Sequence, residues 1–309
     1  MSGGKRFCTV FALFLAGVGV SLALERLSGP RAAPSVEPQP GAAAPQRIIA
    51  LAPSIVESLY ALGAGERVVA VGDFCRFPLQ ASEKPRVGGE FNPSLEQLLA
   101  LKPDLLIVQG KAERLHAFCR RHRIPILHVN TDTLATLRSG LRRIGRAIGR
   151  EPQADALVAE IDLALARLES RLVGRPRPKA FLCMGHQPGS LRGLSTAHGK
   201  SFLSEILDVA GGQNVLADLQ TPYPAVSKEA LLTRAPDVIL DLHPGENLSD
   251  EARRQLLDDW RAMASLPAVR NGRTYVLTED YLMIPGPRVV HLARRLTEVL
   301  HPDVKVSDE

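Results

Sequence analysis

The chain has 309 residues, 45% hydrophobic and 23% charged, the proportions of an ordinary soluble globular protein. Its net charge of +5 falls to +3 without Lys5 and Arg6, and the basic residues are spread along the chain, so nucleic acid is not implied as a partner. The length is generous for one hydrophobic core.

Residues 1–24 read as a signal peptide or a membrane anchor. Lys5 and Arg6 precede an uncharged run from Phe7 to Leu24, and Ser21-Leu22-Ala23 offers a small-x-small cleavage site. The run of 18 residues is nearly long enough to span a bilayer, so cleavage and retention both stay open. Cys8 lies before the run, where a lipoprotein signal would not place it. Residues 25–45, rich in Pro and Ala, read as a flexible tether. Beyond the leader stand Cys75, Cys119 and Cys183, an odd number that leaves at least one unpaired; Cys75 and Cys119 share a lobe and could pair. There is no CxxC and no metal-finger spacing.

The elements then run in order. Arg47–Leu51 is a compact apolar run, hence a buried strand, and Ser54 is placed to cap a helix over Ile55–Leu62. Gly63 and Gly65 stop that helix, and Arg67–Val71 is the second strand; with no hairpin signal between them, the crossover is parallel. Asp73–Pro78 becomes a loop at a strand's carboxyl end, where parallel sheets hold ligands. A helix over Ala112–Arg121 and a strand over Pro125–Val129 complete a first lobe, residues 46–150. Its last helix, Leu134–Ile148, carries Arg138, Arg142, Arg146 and Arg150 at four-residue spacing: a solvated face, or a surface for a membrane or partner. Residues 151–175 read as a linking helix reaching about 30 Å. The second lobe, residues 176–303, repeats the alternation with strands at Lys179–Met184, Val238–Asp241 and Arg273–Leu277 and helices at Lys200–Ala210, Ser249–Ala264 and Pro287–Leu300.

One stretch occurs twice. FNPSLEQLLALKPDLLIVQG at Phe91–Gly110 returns as AVSKEALLTRAPDVILDLHP at Ala225–Pro244, so that Ser94, Glu96, Leu98, Leu99, Pro103 and Asp104 recur 133 positions later. Each copy reads as a Ser-opened helix, a Pro-Asp break and a buried strand, and ESLYALGAGERVVAV before the first is echoed by SEILDVAGGQNVLAD before the second. Two echoes in one order favour two α/β lobes of similar build.

These segments, together with LPAVRNGRTYVL near the end, resemble the single-helix-hinged substrate-binding proteins of ABC importers for cobalamin, ferric siderophores and heme. The resemblance covers Arg47 to about Pro302 and implies a fold of two α/β lobes, each with a mainly parallel sheet flanked by helices, joined by one long helix. It implies a periplasmic, non-enzymatic, monomeric receptor with no cofactor of its own. The ligand would be a cobalt- or iron-containing small-molecule chelate held between the lobes. Its partners would be an ABC permease dimer and, through the complex, its ATPase. Glu96 and Glu229 match the acids with which relatives dock on permease arginines.

By the same resemblance the ligand cleft is lined by the strand-end loops. The first lobe offers Ser54, Phe74, Arg76, Glu90 and Phe91; the second offers His186, His198, Lys200, Tyr223, His243 and Tyr281. Tyr223-Pro224 matches an aromatic-Pro pair of cobalamin-binding relatives. Glu90 stands where relatives often carry Trp or Tyr; it would pair with Arg76 or accept hydrogen bonds from a polar ligand, and it leaves cobalamin, siderophore and heme all open. No two of the histidines lie at metal-ligand spacing, so no metal set is assigned. Chelatase-like enzymes share the two-lobed build, but there is no nucleophile elbow, P-loop or cysteine cluster, and a free-metal receptor would need converging His and acidic ligands.

Overall fold

The computed structural model describes residues 43–110, 113–187, 189–221 and 223–306. The leader and nearly all of the tether lie outside them. No helix among the described residues is long and apolar enough to cross a membrane.

The first sheet holds β1 (Ile48–Ala50), β2 (Val68–Val71), β3 (Leu105–Gln109) and β4 (Ile126–Val129) in the order β2-β1-β3-β4, all parallel. The second holds β5 (Lys179–Cys183), β6 (Gln213–Asn214), β7 (Val238–Leu242) and β8 (Thr274–Leu277) in the order β6-β5-β7-β8, again parallel. The same topology twice is the duplication that the repeated stretch implies. Strands covered on both faces read as unbroken apolar runs, as RIIAL, LLIV and VIL do. Alternate residues feed opposite cores: Ile48, Ala50 and Ile107 meet Ile55 and Leu59, whereas Ile49, Leu106 and Val108 meet Leu98 and Leu115. Cys75 belongs to the former core and Cys119 to the latter. The sheet therefore separates them, and both are free and buried rather than paired.

The helices are α1 (Pro53–Ala61), α2 (Leu79–Ser82), α3 (Leu95–Ala100), α4 (Glu113–His122), α5 (Leu134–Ala147), α6 (Glu151–Arg171), α7 (Phe202–Val209), α8 (Lys228–Arg234), α9 (Asp250–Arg261), α10 (Pro267–Arg270) and α11 (Val289–Leu300). Ser54 does not cap α1. The helix begins two residues earlier than expected, on Pro53, whose fixed φ and missing N–H suit a first helical position.

Both copies of the repeat use the same devices. Ser94 caps α3 by accepting from the Gln97 N–H, and Ser227 caps α8 by accepting from the Ala230 N–H. Lys102 and Ala235, each just before the Pro-Asp pair, both adopt left-handed backbone, with φ of +45° and +47°. Each Asp then ties its strand to the start of the lobe. Asp104 accepts from the backbone N–H groups of Gln46 and Arg47 at 2.7 and 2.8 Å, and Asp237 accepts from that of Lys179 at 2.9 Å.

The helical pair α5–α6 joins the lobes. A Cβ on Gly145 would lie 2.4 Å from that of Ala154, so glycine is what lets the two helices approach this closely. Leu134, Leu137 and Leu141, in the first half of α5, pack in the second-lobe core, and Ile144, Ala147 and Ile148 pack in the first. The arginine stripe is a solvated face whose members pair with acids of α6: Arg138 meets Asp162 at 2.5 Å, Arg142 meets Asp155 at 2.8 Å and Arg146 meets Glu151 at 3.5 Å. Those three acids offset the charge of Arg138, Arg142 and Arg146, as on a solvated face.

Candidate functional site

Parallel strands direct their carboxyl ends, and the loops that follow, to one side of each sheet. Second-lobe loops of this kind reach the first lobe at α1. Arg288, beside the start of α11, donates from Nη2 to Glu57 Oε1 at 2.6 Å and from Nε to Oε2 at 3.0 Å, and from Nη1 to Asp280 at 2.7 Å. Its guanidinium lies 3.9 Å from the centre of the Phe77 ring. Burial pushes the Glu57 carboxyl up, and Arg288 pulls against it. Nearby, a Cβ on Gly245 would lie 3.7 Å from an Arg76 nitrogen, so Arg76 also approaches the second lobe. The Arg76–Glu90 pairing offered by the sequence is not formed among the described residues.

Several of the expected cleft residues are large apolar side chains left in solvent. Phe91 is 95% exposed, Phe74 69% and Tyr223 58%. Tyr223 also holds φ at +49°, a conformation costly for a non-glycine residue. Burial and the charge of Asp132 push both the Glu90 carboxyl and the Tyr223 phenol up, so the first-lobe acid and the second-lobe tyrosine share one anionic neighbour. Glu90, Phe91, Gln109 and Arg114 border a pocket of about 230 Å³ at the carboxyl end of β3. His198 is half-buried, its Nδ1 accepting from the Lys200 N–H at 3.2 Å, and the Lys200 residue is exposed. Tyr281 lies beside His291 and Arg288, its phenol pushed up by burial.

Three expected residues stand elsewhere. Ser54 is 2% exposed and spends its hydroxyl on Gln109 Oε1 at 3.0 Å, so no cleft surface is left to it. His186 has a wholly buried side chain and His243 one that is 13% exposed, because both turn toward Asp241 at the end of β7. His186 Nδ1 faces the Ser190 carbonyl at 3.0 Å, which can only accept, and Nε2 lies 3.1 Å from Asp241 Oδ2. Asp241 Oδ2 also accepts from Trp260 Nε1 at 2.8 Å. His243 Nε2 is 3.2 Å from Asp241 Oδ1 but misaligned, so both atoms are buried without a hydrogen-bond partner. The Asp241 bond raises His186 to about 9 despite burial. Burial works to raise the Asp241 carboxyl, but His186, His243 and Trp260 together hold it well below the usual carboxylate range. The fold thus converges His186, Asp241 and His243, a set that their spacing in sequence did not suggest.

Glu96 and Glu229 are exposed on the first turns of α3 and α8. The backbone N–H at the start of α8 and the Ser227 hydroxyl hold the Glu229 carboxyl below its ordinary value. Beside each acid stands an exposed leucine, Leu99 at 43% and Leu232 at 45%.

Residues 48–281 match the model of a family described as periplasmic binding protein. The chain belongs to this family. It is 27% identical over 251 residues to the vitamin B12-binding protein of Vibrio parahaemolyticus serotype O3:K6, a match covering 80% of this chain and 86% of the relative. The vitamin B12-binding protein of Photorhabdus laumondii subsp. laumondii is 29% identical, over 84% and 89%. Among solved structures, the periplasmic vitamin B12-binding protein BtuF of Vibrio cholerae aligns with a TM-score of 0.70 and 28% identity, over 84% of this chain and 98% of that one. A periplasmic heme-binding protein from Pseudomonas aeruginosa aligns with 0.74 and 26%, over 85% and 95%. These members of the periplasmic-binding-protein family are binding proteins rather than enzymes, and the expected two-lobed α/β fold is theirs.

Proposed function

We propose that this chain is the extracytoplasmic substrate-binding protein of an ABC importer, which captures a metal chelate, a corrinoid or a ferric siderophore, between its lobes and delivers it to a membrane permease. The observation that carries this reading is the exposure of Phe74, Phe91 and Tyr223 on the strand-end loops of both lobes. Large rings left in water at a cleft suit a flat, partly apolar ligand, since each stacked ring contributes about 0.5–1.5 kcal/mol beyond its area. Arg76, Lys200 and His198 supply polar and cationic groups for a chelate's amide or acidic periphery. The protein acts without catalysis, as a periplasmic monomer, and residues 1–24 direct its export.

Glu96 and Glu229 are the handles for the permease. Both are exposed, and the repeat puts them at equivalent places in the two lobes. A permease with two like halves presents two like basic sites, and two equivalent acids fit them. Their role follows the family resemblance.

Heme is the second reading. The 26% identity to the Pseudomonas aeruginosa heme-binding protein favours it, and Tyr223 or Tyr281 would serve as a phenolate toward ferric iron. The test is to incubate the purified chain with cyanocobalamin, hemin and a ferric siderophore separately, desalt, and read the visible spectrum. Retained cyanocobalamin or ferric siderophore at one equivalent supports the proposal and names the ligand, and retained hemin alone supports the second reading. Retention of none overturns it.

A further inference from the structure

We propose that His186, Asp241 and His243 form a resident site for a divalent transition-metal ion, zinc foremost, inside the second lobe and apart from the chelate cleft. The donor set is two imidazoles and a carboxylate, with one ligand atom of each lying within 4.8 Å of the others. Tetrahedral zinc with bonds of about 2.0–2.1 Å sets its ligand atoms about 3.3 Å apart. His186 Nε2 lies 3.1 Å from Asp241 Oδ2 and His243 Nε2 lies 3.2 Å from the other oxygen, Oδ1, so the carboxylate already stands between the two imidazoles and an ion would draw them onto it. Closing the remaining pair needs movement of one ring, and His243, the more exposed of the two, has room for it.

Each donor is also held from behind in the way that metal ligands are. The His186 Nδ1–H is fixed on the Ser190 carbonyl, which leaves Nε2 as the atom directed inward. His243 Nδ1 lies 3.6 Å from the Glu246 carboxylate, and Trp260 Nε1–H anchors one oxygen of Asp241. That accounts for the outer side of all three.

The inner side is where the hydrogen bonds fail. Asp241 Oδ1 and His243 Nε2 are buried and face each other at 3.2 Å, close enough for an ion pair but without a hydrogen bond to each other or to any other group among the described residues. A buried donor and acceptor brought this close without a well-aligned hydrogen bond are left short of what burial costs them, and a cation at that point would meet both. A cation there would satisfy both at once and replace the proton between His186 Nε2 and Asp241 Oδ2. Nitrogen–nitrogen–oxygen donation selects zinc, nickel or copper over magnesium or calcium.

The sequence supplies the geometry economically. Asp241 and His243 are two residues apart at the end of β7, hence on one side of the strand. Cys183 pairs in register with Asp241, so His186 leaves β5 directly beside them. A metal here would tie the loop after β5 to β7. That loop bridges through Ser195 to Ala225, next to the exposed Tyr223, so the ion would stiffen one wall of the cleft without touching its contents.

The experiment uses the full chain, stripped with a chelator and then supplied with zinc or cobalt(II) alone, with no corrinoid, heme or siderophore present. Equilibrium dialysis with elemental analysis should find one zinc per chain, cobalt(II) should give the visible absorption of a four-coordinate site, and zinc should raise the unfolding temperature. His243→Ala should weaken zinc binding at least about 100-fold. Because Asp241→Asn risks the fold of β7, His243→Ala is the deciding variant, with circular dichroism of the metal-free forms compared first. A wild-type chain that retains no zinc, or a folded His243→Ala chain that retains it equally, overturns the site. Neither result bears on chelate capture, which the desalting test reads separately.

Discussion

Arg288 of the second lobe grips Glu57 of the first through two hydrogen bonds of 2.6 and 3.0 Å, with the Glu57 side chain 2% exposed and that of Arg288 11%. A planar guanidinium meeting both carboxylate oxygens fixes orientation as well as distance, so this pair sets how the strand-end loops of the two lobes meet. Removing one partner leaves the other charge buried, which typically destabilises by about 3–5 kcal/mol; Asp280 remains on Arg288, so Glu57→Ala should lose about 3 kcal/mol in urea unfolding. Replacing both partners, Glu57→Leu with Arg288→Met, should cost less than the sum of the single changes. Additive losses would mean that the two side chains do not depend on each other.

Glu90 gives the pH dependence. Burial and Asp132 push its carboxyl above the ordinary 4.5, so folding favours the protonated form. What the group contributes to stability is therefore complete below the unfolded value and lost as pH rises through the folded one. Glu90→Gln should raise the unfolding temperature at pH 7 and leave it unchanged at pH 4. Equal unfolding temperatures at pH 7 would contradict the assignment.

The paired aspartates of the repeat differ in what they hold. Asp104 accepts two backbone N–H groups where Asp237 accepts one. Asp104→Ala should cost about 1–2 kcal/mol and Asp237→Ala measurably less, both read by denaturant midpoint.

Much of this was legible in the sequence, and the exceptions have physical causes. Buried parallel strands announce themselves as apolar runs, and Ser94, Ser227 and the two Pro-Asp pairs are local signals for local structure. Glu57 and Arg288 are 231 residues apart, and no local pattern joins them. A signal existed all the same. Glu57 interrupts the apolar face of SIVESLYAL, and Asp241 interrupts VILDL, and a charge set in a buried element needs a partner from elsewhere. Ser54 misleads because Pro53 takes the first helical position and draws the serine inside. His186 and His243 do follow strand ends, but their burial against Asp241 was not legible because it depends on which strands are neighbours, and that is a property of topology.

The docking proposal predicts a separation of effects. Reversing charge at both positions, Glu96→Arg with Glu229→Arg, should abolish uptake in vesicles carrying the permease while ligand affinity stays within about twofold, because neither residue is among those proposed to line the cleft. Uptake unchanged by the double reversal would remove the assignment. Leu99→Ser with Leu232→Ser should weaken docking less steeply, since those leucines flank the charges.

The central claim is that a metal chelate sits against the exposed rings of the two lobes. Its most direct measurement is an equilibrium titration of the full chain with the chelate it retains, repeated on Phe91→Ala with Tyr223→Ala. Saturable binding of one ligand per chain, weakened about tenfold or more by loss of the two rings, is the predicted result. Unchanged affinity in the folded double variant would contradict it.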